Sequence, residues 1–278
     1  MSDAVRTRLA VLGSPIAHSK SPAIQRAAYR VLGRAWTYDA IEVSGDRLAA
    51  FLGSCDETWR GLSLTMPLKR DVIPLLASRH PLVDRVGAAN TVLFTDRGPA
   101  GFNTDVRGTV EALRGVGLAS VTTAHLLGAG ATAASVLVAL VELGVRDVTV
   151  SARSVERAAP LVALAQREGV RVTVQPWSAP RDHLPIPDVI VSTLPGGQND
   201  LSFTEAVRAQ AVLFDVAYDP WPSALARAWE EASGTVVSGL ELLLQQAIGQ
   251  VRIFVNGDLD VPLDRESDVL AAMRAAVA

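Results

Sequence analysis

The run Ala124-His125-Leu126-Leu127-Gly128-Ala129-Gly130-Ala131-Thr132-Ala133 passes from an apolar strand into a Gly-x-Gly-x-x-Ala turn, and an apolar helix, Ala134 to Leu143, follows. Each small residue in such a turn has a physical task. The first glycine permits a tight bend, the second lets the backbone approach a pyrophosphate, and the small third residue lets helix and strand pack closely. Phosphates then meet the N–H groups at the helix start. Gly128, Ala129, Gly130, Ala131 and Ala133 are therefore candidate cofactor-binding residues. A glycine turn without a ligand is the alternative reading. Context favours the dinucleotide, because a strand precedes the turn, a helix follows, and a second strand is predicted at 147–152.

That second strand ends in Val150-Ser151-Ala152-Arg153-Ser154, with no Asp or Glu to hold the ribose 2′-hydroxyl as NAD enzymes do. Arg153, Ser154 and Arg157 instead suit a 2′-phosphate, since guanidinium groups pair with phosphate in a charge-assisted fork. The expected cofactor is NADP. Solvated surface arginines are the competing reading.

Outward from the turn, strands alternate with helices. Leu9 to Gly13, Tyr38 to Val43, Gly61 to Met66 and Asn90 to Thr95 read as strands in the first part. Further strands are expected at 124–128, 147–152, 171–175, 188–193 and 211–216. Apolar runs such as Asp188-Val-Ile-Val-Ser suit parallel strands covered on both faces. The fold class is α/β, with an N-terminal α/β substrate domain and a doubly wound Rossmann-type dinucleotide domain. The helix Gly239 to Val255 follows the last strand and is expected to return to the first domain. The expected division is 1–103 with 239–278 for substrate, and 104–238 for the dinucleotide.

Composition excludes several classes. The chain has 278 residues, 49% hydrophobic and 20% charged, which supports two cores and argues against disorder. A net charge of −3 leaves no basic footprint for nucleic acid or anionic membrane. Cys55 is the single cysteine, and His18, His80, His125 and His183 are scattered, so neither a disulfide nor a metal site is expected. The N-terminus lacks the apolar run of a signal peptide, and no stretch reaches the ~20 apolar residues of a membrane span. A cytoplasmic protein acting on a small molecule, as monomer or homodimer, is expected.

Two polar residues then stand out. Lys69, in Thr65-Met66-Pro67-Leu68-Lys69, and Asp105, in Asn103-Thr104-Asp105, each follow a predicted strand and precede a helical stretch. A lysine and an aspartate so placed can share a proton beside a bound carbonyl or alcohol. Burial would lower the lysine pKa and a neighbouring aspartate would raise it; sequence leaves that balance open. Ser21 reads as the N-cap of a helix over 23–32, with Pro22 in its first turn. With Ser19, it forms a plausible hydroxyl clamp for a carboxylate at the positive helix end.

Ser19-Lys20-Ser21-Pro22, Leu64-Thr65-Met66-Pro67-Leu68-Lys69, Gly87-Ala88-Ala89-Asn90-Thr91, Asn103-Thr104-Asp105, Gly128-x-Gly130, Asp215-Val-Ala-Tyr218-Asp-Pro and Gly239-Leu240…Gln245-Gln246-Ala247 occur in the order found in shikimate dehydrogenases. The chain resembles that family from Val11 to about Phe254. The resemblance implies reversible NADP-dependent reduction of 3-dehydroshikimate to shikimate, with quinate or an amino analogue of shikimate as alternative substrates and a non-catalytic NADP sensor as the alternative of another class. It implies that Ser19 and Ser21 hold the substrate carboxylate and that Lys69 and Asp105 are catalytic. Ser63, Thr65, Asn90, Tyr218 and Gln246 would line the substrate pocket, and Gly239 would adjoin the cofactor. Two positions depart from the family pattern. Ser63 stands where many members have asparagine, and Ala152 replaces the asparagine of the adenosine-phosphate clamp.

Overall fold

The computed structural model describes residues 7–179, 181, 185–194 and 201–278; His183 lies outside them. The chain forms two compact units, one comprising residues up to Thr104 with Leu244–Ala278, the other Asp105–Leu243.

The first unit contains strands β1 (Arg8–Gly13), β2 (Thr37–Glu42), β3 (Trp59–Leu64), β4 (Ser78–Arg79), β5 (Thr91–Thr95) and β6 (Gly98–Phe102). They lie in the order β2-β1-β3-β5-β6-β4. β1 pairs in parallel with β2 and β3, while β3–β5 and β5–β6 are antiparallel. Helices α1 (Ser21–Val31), α2 (Leu48–Gly53), α3 (Leu68–Asp71) and α4 (Pro81–Val86) connect these strands. Leu12, Leu48, Leu62, Leu68, Val72 and Val92 belong to one buried core, so α3 is held to the sheet by Leu68. β6 has no counterpart in the sequence reading. Its Gly98-Pro99-Ala100-Gly101-Phe102 lacks β-branched residues, and antiparallel pairing with β5 makes it a strand.

The second unit contains α5 (Asp105–Arg114), β7 (Thr123–Leu127), α6 (Ala131–Glu142), β8 (Asp147–Ala152), α7 (Ala159–Arg167), β9 (Arg171–Pro176), β10 (Val189–Ser192), α8 (Glu205–Gln210), β11 (Val212–Asp215), α9 (Ala224–Glu231) and β12 (Val236–Ser238). The sheet order is β12-β11-β10-β7-β8-β9, and every pairing is parallel. Counted from β7, this is the 3-2-1-4-5-6 order of the doubly wound dinucleotide fold, with its switch point between β7 and β10. Trp229 of α9 is fully buried; its Nε1 donates to the Ala211 carbonyl at 2.9 Å, and its ring meets Phe203 edge-on at 5.3 Å between centroids.

The long helix α10 (Gly239–Asn256) runs from the second unit into the first, and α11 (Glu266–Ala275) closes the chain. Phe254 of α10 lies so close to β3 that a Cβ on Gly61 would stand 2.5 Å from its ring. Arg252 is ion-paired with Glu266, which joins α10 to α11. Among the described residues no helix is long and apolar enough to cross a membrane, and no group of three or more His, Cys, Asp or Glu side chains is placed to hold a metal.

Candidate active site

In the first unit, the ends of β1 and β3 carry the residues expected to meet substrate. Ser19 and Ser21 lie at the start of α1. The structure corrects the expected cap: Ser21 is the first helical residue, Pro22 is the second, and Lys20 occupies the cap position without a side-chain cap bond. The hydroxyl that serves the helix start is that of Ser19, which accepts the Ser21 N–H at 3.3 Å. The reason is the spacing, since Ser19 reaches forward two residues while Ser21 is already inside the first turn. The Ser21 side chain is nearly buried and its hydroxyl makes no hydrogen bond among the described residues, so it is available to a ligand.

Thr65 follows β3 and is half-buried. Its methyl group would lie 2.4 Å from a Cβ on Gly13, so the glycine ending β1 makes room for it. Lys69 lies in the first turn of α3, and its carbonyl accepts the Ala89 N–H at 2.8 Å. The next residue, Asn90, is buried. Its Oδ1 accepts from the Thr104 N–H and from Thr91 Oγ1, both at 2.9 Å, and its Nδ2 donates to Thr104 Oγ1 at 2.9 Å. Asn103 is tied in the same way, donating from Nδ2 to the Ala88 carbonyl at 3.0 Å. The two-residue segment Ala89-Asn90 thus backs the peptide of Lys69 on one side and of Thr104, the residue before Asp105, on the other. Gln246 of α10 is buried, with its Oε1 3.5 Å from Thr104 Oγ1.

Ser63 is buried, and its hydroxyl has two partners: it donates to Gln250 Oε1 at 2.9 Å and accepts from Tyr38 at 2.7 Å. One lone pair remains for any ligand. Gln250, Gln25, Tyr29 and Tyr38 form a buried polar group beside these residues that the sequence reading missed. A signal existed: Gln25 and Gln250 each recur four residues after a site residue, Ser21 and Gln246, on otherwise apolar helix faces.

In the second unit, Asp105 is buried and is itself the first residue of α5. Tyr218 follows β11 and is half-buried; burial, and secondarily Asp219, raise its pKa. Gly239 opens α10 where no other residue fits, because a Cβ would stand 2.0 Å from the Val216 carbonyl oxygen.

The glycine turn follows β7 at the switch point. Gly128 has φ +105°, a backbone conformation that side chains disfavour, and a Cβ there would lie 2.6 Å from Thr193 Oγ1. Gly130 is the N-cap of α6, and a Cβ added there would meet nothing within 4 Å. The first turn of α6 carries no acid, so its positive end is uncompensated. Ala133 is fully buried. Open space over Gly130 at a bare helix start is the cradle that a pyrophosphate requires. At the end of β8, Arg153 and Arg157 are exposed, and neither guanidinium has a hydrogen bond or ion pair among the described residues. Ser154 Oγ accepts the Arg157 N–H at 3.3 Å and donates to Glu156 at 2.7 Å. These residues fit NADP, with the Ser154 hydroxyl shared with a carboxylate.

A parallel sheet in 3-2-1-4-5-6 order, with this turn at its switch point, defines a dinucleotide-binding protein in which that fold is joined to a second α/β unit. The family model for the shikimate dehydrogenase substrate binding domain matches residues 11–92, and that for shikimate / quinate 5-dehydrogenase matches residues 111–218. The chain belongs to the shikimate dehydrogenase family. It is 31% identical to the shikimate dehydrogenase (NADP(+)) of Methanothermobacter thermautotrophicus, over 94% of each chain. Among solved structures, Mycobacterium tuberculosis shikimate dehydrogenase is 38% identical, with a TM-score of 0.84 over 97% of this chain and 99% of that one. Shikimate 5-dehydrogenase from Thermus thermophilus, in complex with NADP(H) and shikimate, is 30% identical, with a TM-score of 0.81 over 98% and 100%.

Proposed function

We propose that this protein catalyses the reversible NADP-dependent reduction of 3-dehydroshikimate to shikimate. One observation carries the reading beyond family membership: Ala89-Asn90 is hydrogen-bonded both to the Lys69 carbonyl, at 2.8 Å, and to the Thr104 N–H, at 2.9 Å. One short segment therefore supports the backbone that delivers each of the two proposed acid/base residues.

Ser19 and Ser21 bind the carboxylate of the ring acid at the start of α1, with Ser21 donating freely. Asn90 and Gln246 meet ring hydroxyls, Thr65 lines the same pocket, and Tyr218 adds a further substrate contact. The cofactor is held by the turn Gly128–Ala133, by Arg153 and Arg157 at its 2′-phosphate, and beside Gly239. When bound, its nicotinamide supplies hydride to the ring ketone carbon or takes it back. Lys69, as ammonium, gives the ketone oxygen the proton it needs as alkoxide character develops, and Asp105 orients and shares that proton. In the oxidative direction the same pair receives the proton of the hydroxyl.

Turnover of shikimate and of quinate, each with NADP and with NAD, tests the assignment. Shikimate with NADP is expected to give the highest kcat/KM; preference for quinate would move the substrate to the alternative that Ser63 and Thr65 could set. Lys69→Ala is expected to lower kcat by ~10²-fold or more. A near-normal kcat in that variant would remove Lys69 from the mechanism, and a protein inactive on every pair would leave a binding function in its place.

A further inference from the structure

Gln25 lies one helical turn beyond Ser21 on α1, and Gln250 one turn beyond Gln246 on α10, so each pair shares a helix face. The two glutamines meet: Gln25 Nε2 donates to Gln250 Oε1 at 3.1 Å. The same Oε1 accepts from Ser63 Oγ at the end of β3, at 2.9 Å. Tyr29 donates to Gln25 Oε1 at 2.8 Å, Tyr38 donates to Ser63 Oγ at 2.7 Å, and Gln250 Nε2 donates to the Asn90 carbonyl at 3.4 Å. All five side chains are buried. The Asn90 carbonyl can only accept, so the Gln250 nitrogen faces it and the Gln250 oxygen faces Gln25 and Ser63. The direction of every other bond follows, and Gln250 is the junction: its two amide atoms join α1, the end of β3 and the peptide of Asn90.

The placement has a chemical consequence. Because Ser63 gives its proton to Gln250, it can offer a ligand only an acceptor. An asparagine at position 63, common in the family, would carry donor and acceptor in one side chain. Here the hydroxyl on β3 keeps the acceptor role, while the amide on α10 takes the hydroxyl's proton and donates to the Asn90 carbonyl. We propose that Gln250 is a positioning residue for the ring-acid substrate, setting α1 against α10 and holding Asn90, and that Ser63 and Gln250 act as one split unit in place of a single longer amide. This rests on the assignment of the pocket to a shikimate-type substrate. A purely structural role would lower stability without singling out the ring acid.

The test compares four full-length proteins: wild type, Gln250→Ala, Ser63→Asn, and the double variant. The measurements are KM for shikimate, KM for NADP, and melting temperature. Leaving the buried Gln25 and Ser63 donors unpaired is expected to raise the shikimate KM of Gln250→Ala about tenfold, with the NADP KM within about twofold of wild type. Restoring an amide at position 63 in the double variant is expected to recover most of that loss, a non-additivity that independent sites would not show. An unchanged shikimate KM in folded Gln250→Ala, equal rises for both substrates, or a double variant no better than the single would each overturn the proposal. If Gln250→Ala does not fold, Gln25→Leu breaks the same junction one link further from the pocket, with the same expected and refuting results. A wild type inactive on shikimate refutes the assigned reaction and this role with it; an active wild type with an unmoved KM refutes this role alone.

Discussion

His125→Gln separates one buried titration from the rest of the chain. His125 lies on β7, buried, with Nε2 2.8 Å from Ser151 Oγ and its ring edge-on to Phe203. Burial, and secondarily the charge of Arg181, push its pKa down from 6.5 to about 4. The folded protein therefore keeps the ring neutral where the unfolded chain would protonate it. Between those two values the unfolded state binds more protons, so stability is fully present above pH ~6.5 and is lost as pH falls toward ~4. A difference of roughly 2.5 units at about 1.4 kcal/mol each sets a ceiling of ~3.5 kcal/mol, of which about 2 kcal/mol falls between pH 7 and pH 5. Glutamine can keep a bond to Ser151 but does not titrate. Urea denaturation of both proteins at pH 7, 6 and 5 is the assay. The wild type should lose about 2 kcal/mol more than His125→Gln over that range. Parallel losses would refute the reasoning, showing that no proton enters at His125 on unfolding. Asp215, whose pKa burial raises, acts in the opposite direction in both proteins and cancels in the comparison.

Other substitutions carry equally direct expectations. Arg153→Ala should raise KM for NADP about ten- to a hundredfold, the worth of a lost bond to a charged group, while KM for NAD stays nearly unchanged; equal losses in steady-state assays would give Arg153 to the fold. Ser19→Ala should lower stability by about 0.5–1 kcal/mol through the bond it gives the α1 start, whereas Ser21→Ala should leave the melting temperature in place and raise only the shikimate KM. Trp229→Ala should cost about 3–5 kcal/mol, because it empties a fully buried site and strips the Ala211 carbonyl of its donor; a chemical denaturation midpoint within error of wild type would contradict that.

The sequence made some of this legible and left other parts hidden, for physical reasons. The doubly wound sheet could be read because β7 and β10 are rich in apolar residues, β8 and β9 follow β7 at even intervals, and the glycine turn has a definite geometry. β4, β6 and β12 could not, because they are short or poor in β-branched residues and exist through pairing with neighbours. Residue types and order pointed to Lys69, Asp105 and Asn90. The job of each hydroxyl was not readable: Ser19 rather than Ser21 serves the helix start, and Ser63 is committed to Gln250. Hydrogen-bond partners more than 180 residues away, as for Ser63 and Gln250, leave no local periodic trace.

The course of α10 bears on how the protein is made. β3 receives Phe254, and Asn90 just before β5 receives the amide of Gln250, only after nearly the whole chain has been synthesised. Asp105–Leu243, by contrast, is continuous, and its sheet is complete once β12 has emerged. Domains fold as units when their residues become available during synthesis. The later-encoded nucleotide unit can therefore finish first on the ribosome, while the N-terminal sheet waits with an uncovered face for the last helices to arrive. An early stop just before α10 would leave a folded nucleotide unit tethered to an unfinished partner, the form in which a truncated product of this gene would meet proteases and chaperones.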